Sequence, residues 1–469
     1  MTESKSRLFI AVSLLGLGWT SLCLFRLQWA STEEIFWTTL LFGLCCLPTI
    51  LFIAGPKSKI PLMPMWGLGY FLMFGMPMLS REIQGELDFI IEGSVVKALQ
   101  LTVFGAVACV LAFYTLLGRW IETVVPRLKA PWNSRRAPWL GVSLALFGVI
   151  PHYYQLISAP SFVWGQLFFI GSQLSIVGML TLFLLQLRKQ LSKPLTVFLW
   201  GIMVPLEFLL RLGTGALWTV FQAMAPFLFC YAVERGKIPW KALAIVTLCL
   251  IPFLGFKHEY RSYAWYAEGD ASLLNAPPIQ RSVAFIQLVG KRLREGGAEA
   301  YTFAAETAQK RISHLSVLIN VMEMTPAQIP FWNGETYRSF PWLFLPRALF
   351  PEKPEKTLGQ EFGHRYGFID PSNFDTSFNL PHQVIEMFIN FGTVGVLIGM
   401  SIMGFIYRAI AILLSHPNAG ERSLIIGCAL LANLLSLDSD FSLVFGGVVY
   451  YVLVMYVIVR FLGEPAKVA

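Results

Sequence analysis

Cations gathered among aromatic residues carry the clearest chemical signal in this sequence. Arg311 and His314 stand three apart in a helical pattern and so share a face. Arg338, Arg347, Lys353 and Lys356 follow in a stretch dense in proline and aromatics. Arg211 closes an apolar run earlier in the chain. Guanidinium groups clamp phosphate oxygens two at a time, and aromatic or apolar neighbours suit a lipid or a sugar face. A lipid-linked diphosphate is the ligand class this combination fits. The plainer reading is that these cations meet anionic lipid head groups, or the acids of their own segment, which are about as numerous.

A transfer reaction on such a ligand needs a proton acceptor. His314 qualifies because the unperturbed imidazole pKa lies near neutrality. Glu386 qualifies from its place in HQVIEMFINFG, with Asn390 one turn below. Read plainly, the first is polar surface and the second an interfacial acid. Glu207 and Arg211 are four apart in an apolar run, where a charge costs roughly 2.5–3.5 kcal/mol, so they are expected to pair or to serve a ligand. Asp438 and Asp440 form a D-S-D that can hold Mg²⁺ beside a diphosphate or simply make a turn. His258, His364 and His382 have no metal-ligand spacing. No metal and no cofactor is therefore expected. G-x-S-x-G, Walker and H-E-x-x-H motifs are absent, so nothing points to ATP-driven or protease chemistry.

The elements that must position these residues lie in long uncharged runs. Of 469 residues 55% are hydrophobic and 14% charged, against roughly 25% charged in a soluble domain. Apolar runs cover 8–25, 35–54, 61–79, 98–118, 137–157, 165–187, 195–210, 213–233, 242–256, 383–407, 423–437 and 441–462. Most approach the ~20 residues of a spanning helix. All are expected to be helical, because a bilayer satisfies no exposed backbone group. The expected fold class is an all-α integral membrane protein, with about twelve transmembrane helices and one large helical outer (periplasmic) loop.

With the N-terminus inside, Lys and Arg crowd the inside segments, while the short outside ones hold Arg26, Arg81, Lys97 and Arg211. Both termini are thus expected in the cytoplasm, and the net charge of +8 follows from this bias rather than from a nucleic-acid partner. Residues 1–256 form an N-terminal transmembrane region, 257–382 the outer loop and 383–469 a C-terminal transmembrane region. The N-terminus has no small-residue cleavage pattern and reads as a first span that stays. The seven cysteines all lie in apolar runs, which excludes a disulfide scaffold.

A loop of more than 120 residues should fold. Ile279, Val283, Ile286, Val289 and Leu293 fall on one helical face, with Arg281, Lys291, Arg292 and Arg294 off it, the pattern of a helix lying on a membrane surface. Tyr301, Ala304, Ala308, Ile312, Leu315, Ile319 and Met322 keep a similar period to a stop before Pro326.

The segments RISHLSVLINVMEMTP, FWNGETYRSFPWLFLPRALFPEKP, GQEFGHRYGFID and TSFNLPHQVIEMFINFGTVGVLIGM together resemble the Wzy-type O-antigen and exopolysaccharide repeat-unit polymerases. The likeness covers about 305–407. Its most specific parts are P-R-x-L-x-P-x-K-P and E-x-x-x-N-F-G-x-x-G. The resemblance implies a metal-independent glycosyltransferase of the bacterial inner membrane. Its substrates would be undecaprenyl-diphosphate-linked oligosaccharides, with membrane lipids, a chain-length regulator and a flippase as partners. It implies that Arg311 and Arg347 bind the diphosphate, with Arg211 as a third cation and Arg338 and Lys353 in support. His314 or Glu386 would take the acceptor hydroxyl's proton. An O-antigen ligase shares donor and topology; a lipid-linked glycan flippase and a non-catalytic length-control partner are the rivals of other classes. A transporter should place ionisable residues at the midplane of several spans, where the sequence shows little beyond Glu207.

Overall fold

A computed structural model describes residues 16–21, 23, 30–54, 60–79, 93–124, 136–158, 162–237, 239–266, 273, 276–343, 345, 350, 352, 358–370, 372, 380–415, 421–446 and 448. Among these the chain is helical, with no strand. In order come α1 (Thr32–Ala54), α2 (Leu62–Phe74), α3 (Ser94–Tyr114), α4 (Leu116–Val124), α5 (Ala137–Ser158), α6 (Phe162–Leu187), α7 (Lys193–Leu212), α8 (Leu217–Arg235), α9 (Trp240–Arg261), α10 (Pro278–Ile312), α11 (Leu315–Met324), α12 (Leu358–Arg365), α13 (Gln383–Ser415) and α14 (Glu421–Leu434). Six of them are long and apolar enough to cross a membrane: α1, α3, α7, α8, α9 and α13. Shorter apolar helices lie at α2, 171–187 of α6, α11 and 423–434 of α14. Most of the apolar runs 8–25 and 441–462 falls outside the described residues.

Small residues let these helices approach closely, as packing between apolar helices without a water-driven force requires. A Cβ on Gly148 of α5 would lie 2.0 Å from the Ser175 backbone nitrogen of α6, and one on Gly178 of α6 would lie 2.3 Å from that of Ala145. Gly404 of α13 meets the Cys109 carbonyl of α3 at 2.4 Å in the same sense. In α7 the turn Phe198–Met203 is π-helical, just before Pro205. Proline lacks the N–H that continues an α-helical ladder, and the wide turn absorbs that loss.

The long α10 has a buried stripe beside the expected apolar face, and it ends before the sequence expectation. Its buried stripe is Ser282, Phe285 and Val289, which packs on α9 and the end of α7, while Ile279, Val283 and Ile286 are exposed. Tyr260 of α9 stacks on Phe285 at 4.2 Å, and its hydroxyl is shared between the carbonyls of Gly213 (2.8 Å) and Arg281 (3.1 Å). The expected continuous helix from 301 to 322 also breaks. Ser313 turns extended, and the His314 N–H donates to the Met73 carbonyl at the end of α2 (3.0 Å) instead of to its own helix. Arg311 and His314 therefore do not share a helical face. One ends α10, and the other is pulled into the α2 packing and starts α11.

The motif E-x-x-x-N-F-G-x-x-G lies at the start of α13, where Gly392 adopts φ 62, ψ −152 inside the helix. A side chain at that φ is strained, and its Cβ would also press on Phe331 at 3.2 Å. The glycine thus marks a kink where the segment 331–337 crosses the helix.

Candidate functional site

Asn390 holds that crossing. Its amide donates to the Thr336 hydroxyl (2.8 Å) and to the Glu386 carbonyl (2.7 Å), and its oxygen accepts the Gly334 N–H (2.8 Å). Glu386, 0% exposed, accepts the Phe441 N–H at 2.6 Å, and Gln383 donates to the Ser439 carbonyl at 2.6 Å. Two side chains on the first turns of α13, Gln383 and Glu386, thus fasten the turn that follows α14. Asp440 of the D-S-D accepts the Leu443 N–H at 3.0 Å, as a helix cap does. Asp438 is exposed and points elsewhere. Among the described residues no group of His, Cys, Asp and Glu is arranged to hold a metal ion.

Asp438 belongs to a charge cluster assembled from four elements. Lys257 on the last turns of α9 is near enough to feel Arg261, Arg311 and Asp438. Asp438 also acts on His314, and His314 on His382. Arg311 reaches the surface with no acid at ion-pair distance among the described residues, although flanking protein lowers its guanidinium from the ordinary value by desolvation. An arginine remains charged under such a shift. Among the described residues, Lys257 thus feels two further cations and one carboxylate, and such a gathering of positive charge attracts an anion.

Two buried imidazoles adjoin this cluster through Asp438. His314 is 9% exposed and His382 0%. Their ring centres are 6.2 Å apart, with Phe74 at 6.5 and 4.7 Å from them and Tyr70 at 5.4 Å from His382. Burial pushes the His314 pKa down, opposed by Asp438; burial, then the neighbouring His314, pushes His382 well down. Both rings are therefore neutral near pH 7.

Arg211 stands apart from this group. It is 3% exposed and donates through Nε to Glu207 Oε2 at 3.0 Å. His152 of α5 brings Nδ1 to 3.1 Å from the same oxygen. The expected Glu207–Arg211 pair is present, with a third partner the sequence reading did not name. His152 in the middle of an apolar run was the available signal. Arg338 is exposed on the turn beside the Asn390 crossing, not in the Lys257–Arg311 group. Arg347 and Lys353 lie outside the described residues. Lys257 and Arg261 were also missed; their i, i+4 spacing at the end of an apolar run announces a cationic helix terminus.

Fold and site define a protein helical throughout its described residues, several of whose helices are apolar enough to cross a membrane, with a cationic cluster that shares Asp438 with a buried histidine pair. The chain belongs to the family described as Domain of unknown function (DUF8712), which matches residues 143–466. No curated protein and no solved structure matches it.

Proposed function

We propose that the chain is a membrane glycosyltransferase that polymerises undecaprenyl-diphosphate-linked oligosaccharide repeat units. The observation that carries this reading is the gathering of Lys257, Arg261 and Arg311 in the neighbourhood of Asp438, which His314 shares, beside long apolar helices. The proposed topology has about twelve spans in the bacterial inner membrane, both termini cytoplasmic and the cationic end periplasmic. The cations hold the diphosphate and stabilise the charge that develops as it leaves. The acceptor hydroxyl oxygen bonds to the donor's anomeric carbon, the carbon–oxygen bond to diphosphate breaks, and the diphosphate departs with the electron pair. His314 takes the hydroxyl proton. Glu386 is the weaker base, because one of its oxygens is engaged by a backbone N–H in a fully buried clamp. Arg347 keeps the diphosphate-binding role that the resemblance implies, with Arg211 as the third cation and Lys353 in support.

The test is surface glycan length in a strain lacking the gene, complemented with wild type or Arg311→Ala at equal membrane levels. A ladder with wild type and single repeat units with the variant support polymerisation. Glycan missing from its final carrier with chain length intact points to a ligase. Repeat units that never reach the outer leaflet point to a flippase, the reading that the buried His152–Glu207–Arg211 contact favours.

A further inference from the structure

The hydrogen bonding of the two histidines identifies a missing partner. His382 Nδ1 accepts the Val384 N–H at 3.0 Å, so the neutral ring must carry its proton on Nε2. That Nε2–H is buried and has no hydrogen-bond partner among the described residues, and the same holds for His314 Nδ1. A buried donor left alone costs about 1–3 kcal/mol, so two such nitrogens on adjacent rings call for a shared solution.

Geometry narrows what that solution is. A ring nitrogen lies about 1.2 Å from its ring centre, so at a 6.2 Å centroid spacing the nitrogens approach no closer than about 3.8 Å. That is beyond a direct hydrogen bond. Two ligands of one tetrahedral zinc, with bonds of about 2.0–2.1 Å, would sit roughly 3.4 Å apart, which is also too close. One oxygen at about 2.8 Å from each nitrogen bridges separations up to about 5.6 Å, a range that the 6.2 Å ring spacing allows.

Protonation chemistry narrows it further. A bond in which His314 Nδ1 accepts is lost whenever that ring is protonated with both nitrogens as donors. An oxygen that accepts from Nδ1–H keeps its bond in both states. We propose that His314 and His382 hold one water oxygen between them, His382 Nε2–H and His314 Nδ1–H both donating to it, and that His382 is thereby the positioning residue that leaves His314 Nε2 as the proton acceptor. The role of His314 as acceptor rests on the proposed transferase reading; the bridge itself does not.

The groups that face this pair are Asp438, which acts on His314, and the rings of Phe74 and Tyr70, which do not titrate in the relevant range. Asp438 also acts on Lys257, which in turn feels Arg311 and Arg261.

The experiment is nitrogen NMR on the full chain in lipid nanodiscs, with ¹⁵N-histidine labelling. The chain has six histidines, so each is assigned by single substitution. At pH 7.5 the expected result is a protonated Nδ1 on His314 and a protonated Nε2 on His382. In His382→Phe the His314 ring is expected to shift toward the Nε2–H tautomer. His382→Gln, which restores an N–H near the Nε2 position, is expected to recover most of the wild-type signal, and it replaces the phenylalanine variant if that one does not fold. His314 found with bare Nδ1 in the wild type, or unmoved in both folded variants, overturns the bridge. The same variants run in the glycan assay separate the two proposals. A bridge present in a protein that makes no ladder sinks the transferase reading and spares the bridge, whereas a ladder without the bridge does the reverse.

Discussion

At the start of α14, Arg188, just past the end of α6, meets Glu421 at 2.9 Å and grips Glu234 of α8 with two bonds, at 2.8 and 3.2 Å. Beyond the other end of the same helix, Lys257 feels Arg261, Arg311 and Asp438. The first region matches two carboxylates to one arginine and ties three helices together. The second leaves Arg311 with no acid at ion-pair distance among the described residues and sets Asp438 beside a neutral histidine. Charge satisfied within the protein does structural work, and charge left over is available to a ligand. The buried His152–Glu207–Arg211 contact shows the first behaviour in the interior, since Glu207 is engaged from two helices.

The strongest way to break this contrast is to remove Glu207. Glu207→Ala strands Arg211 in a 3%-exposed site and should cost about 3–5 kcal/mol, read as a lower melting temperature and less folded protein in detergent. A variant that melts like wild type would mean the pair is not structural. At the cationic end Arg311→Ala should leave melting nearly unchanged and cut polymer formation by about 10²–10³-fold, the usual cost of one charge-stabilising donor. Arg188→Ala should do the opposite, losing roughly 1–3 kcal/mol of stability with ladder length intact. Equal effects of the two arginines on the ladder would dissolve the distinction.

Acidity probes the histidines. Both have folded pKa values depressed by burial, so below the unfolded value of about 6.5 the unfolded chain binds more protons and stability falls as pH drops. By pH 5.5, one unit below the unfolded value, the expected loss is up to about 1.4 kcal/mol for each ring, seen in thermal melts from pH 7.5 downward. His314→Phe with His382→Phe should flatten that slope, and an unchanged slope would place the titration elsewhere. The smallest effect concerns Glu386. Glu386→Gln keeps an acceptor for the Phe441 N–H and should cost about 1 kcal/mol with the ladder retained. A folded Gln variant without a ladder would return Glu386 to the chemistry.

Much of this arrangement was legible in the order of residues. The runs at 35–54, 98–118, 213–233 and 383–407 became α1, α3, α8 and α13 nearly in place, because a helix is the only element that satisfies a long apolar backbone. The i, i+4 spacing of Glu207 and Arg211 announced their pairing, because that interaction is local. Reading failed where a contact between distant segments decided the outcome. The period through 301–322 gave no sign of a break at Ser313, since the break is made by a carbonyl of Met73 some 240 residues earlier in the chain. Nothing near Glu386 in sequence shows that the amide of Phe441 will take its carboxylate. Composition and local spacing determined the helices, their apolar character and the excess of cations. Which cations stand together, which acid is spent on a backbone turn, and that two histidines lie face to edge under Phe74 were decided only by packing, because those contacts join residues tens to hundreds of positions apart.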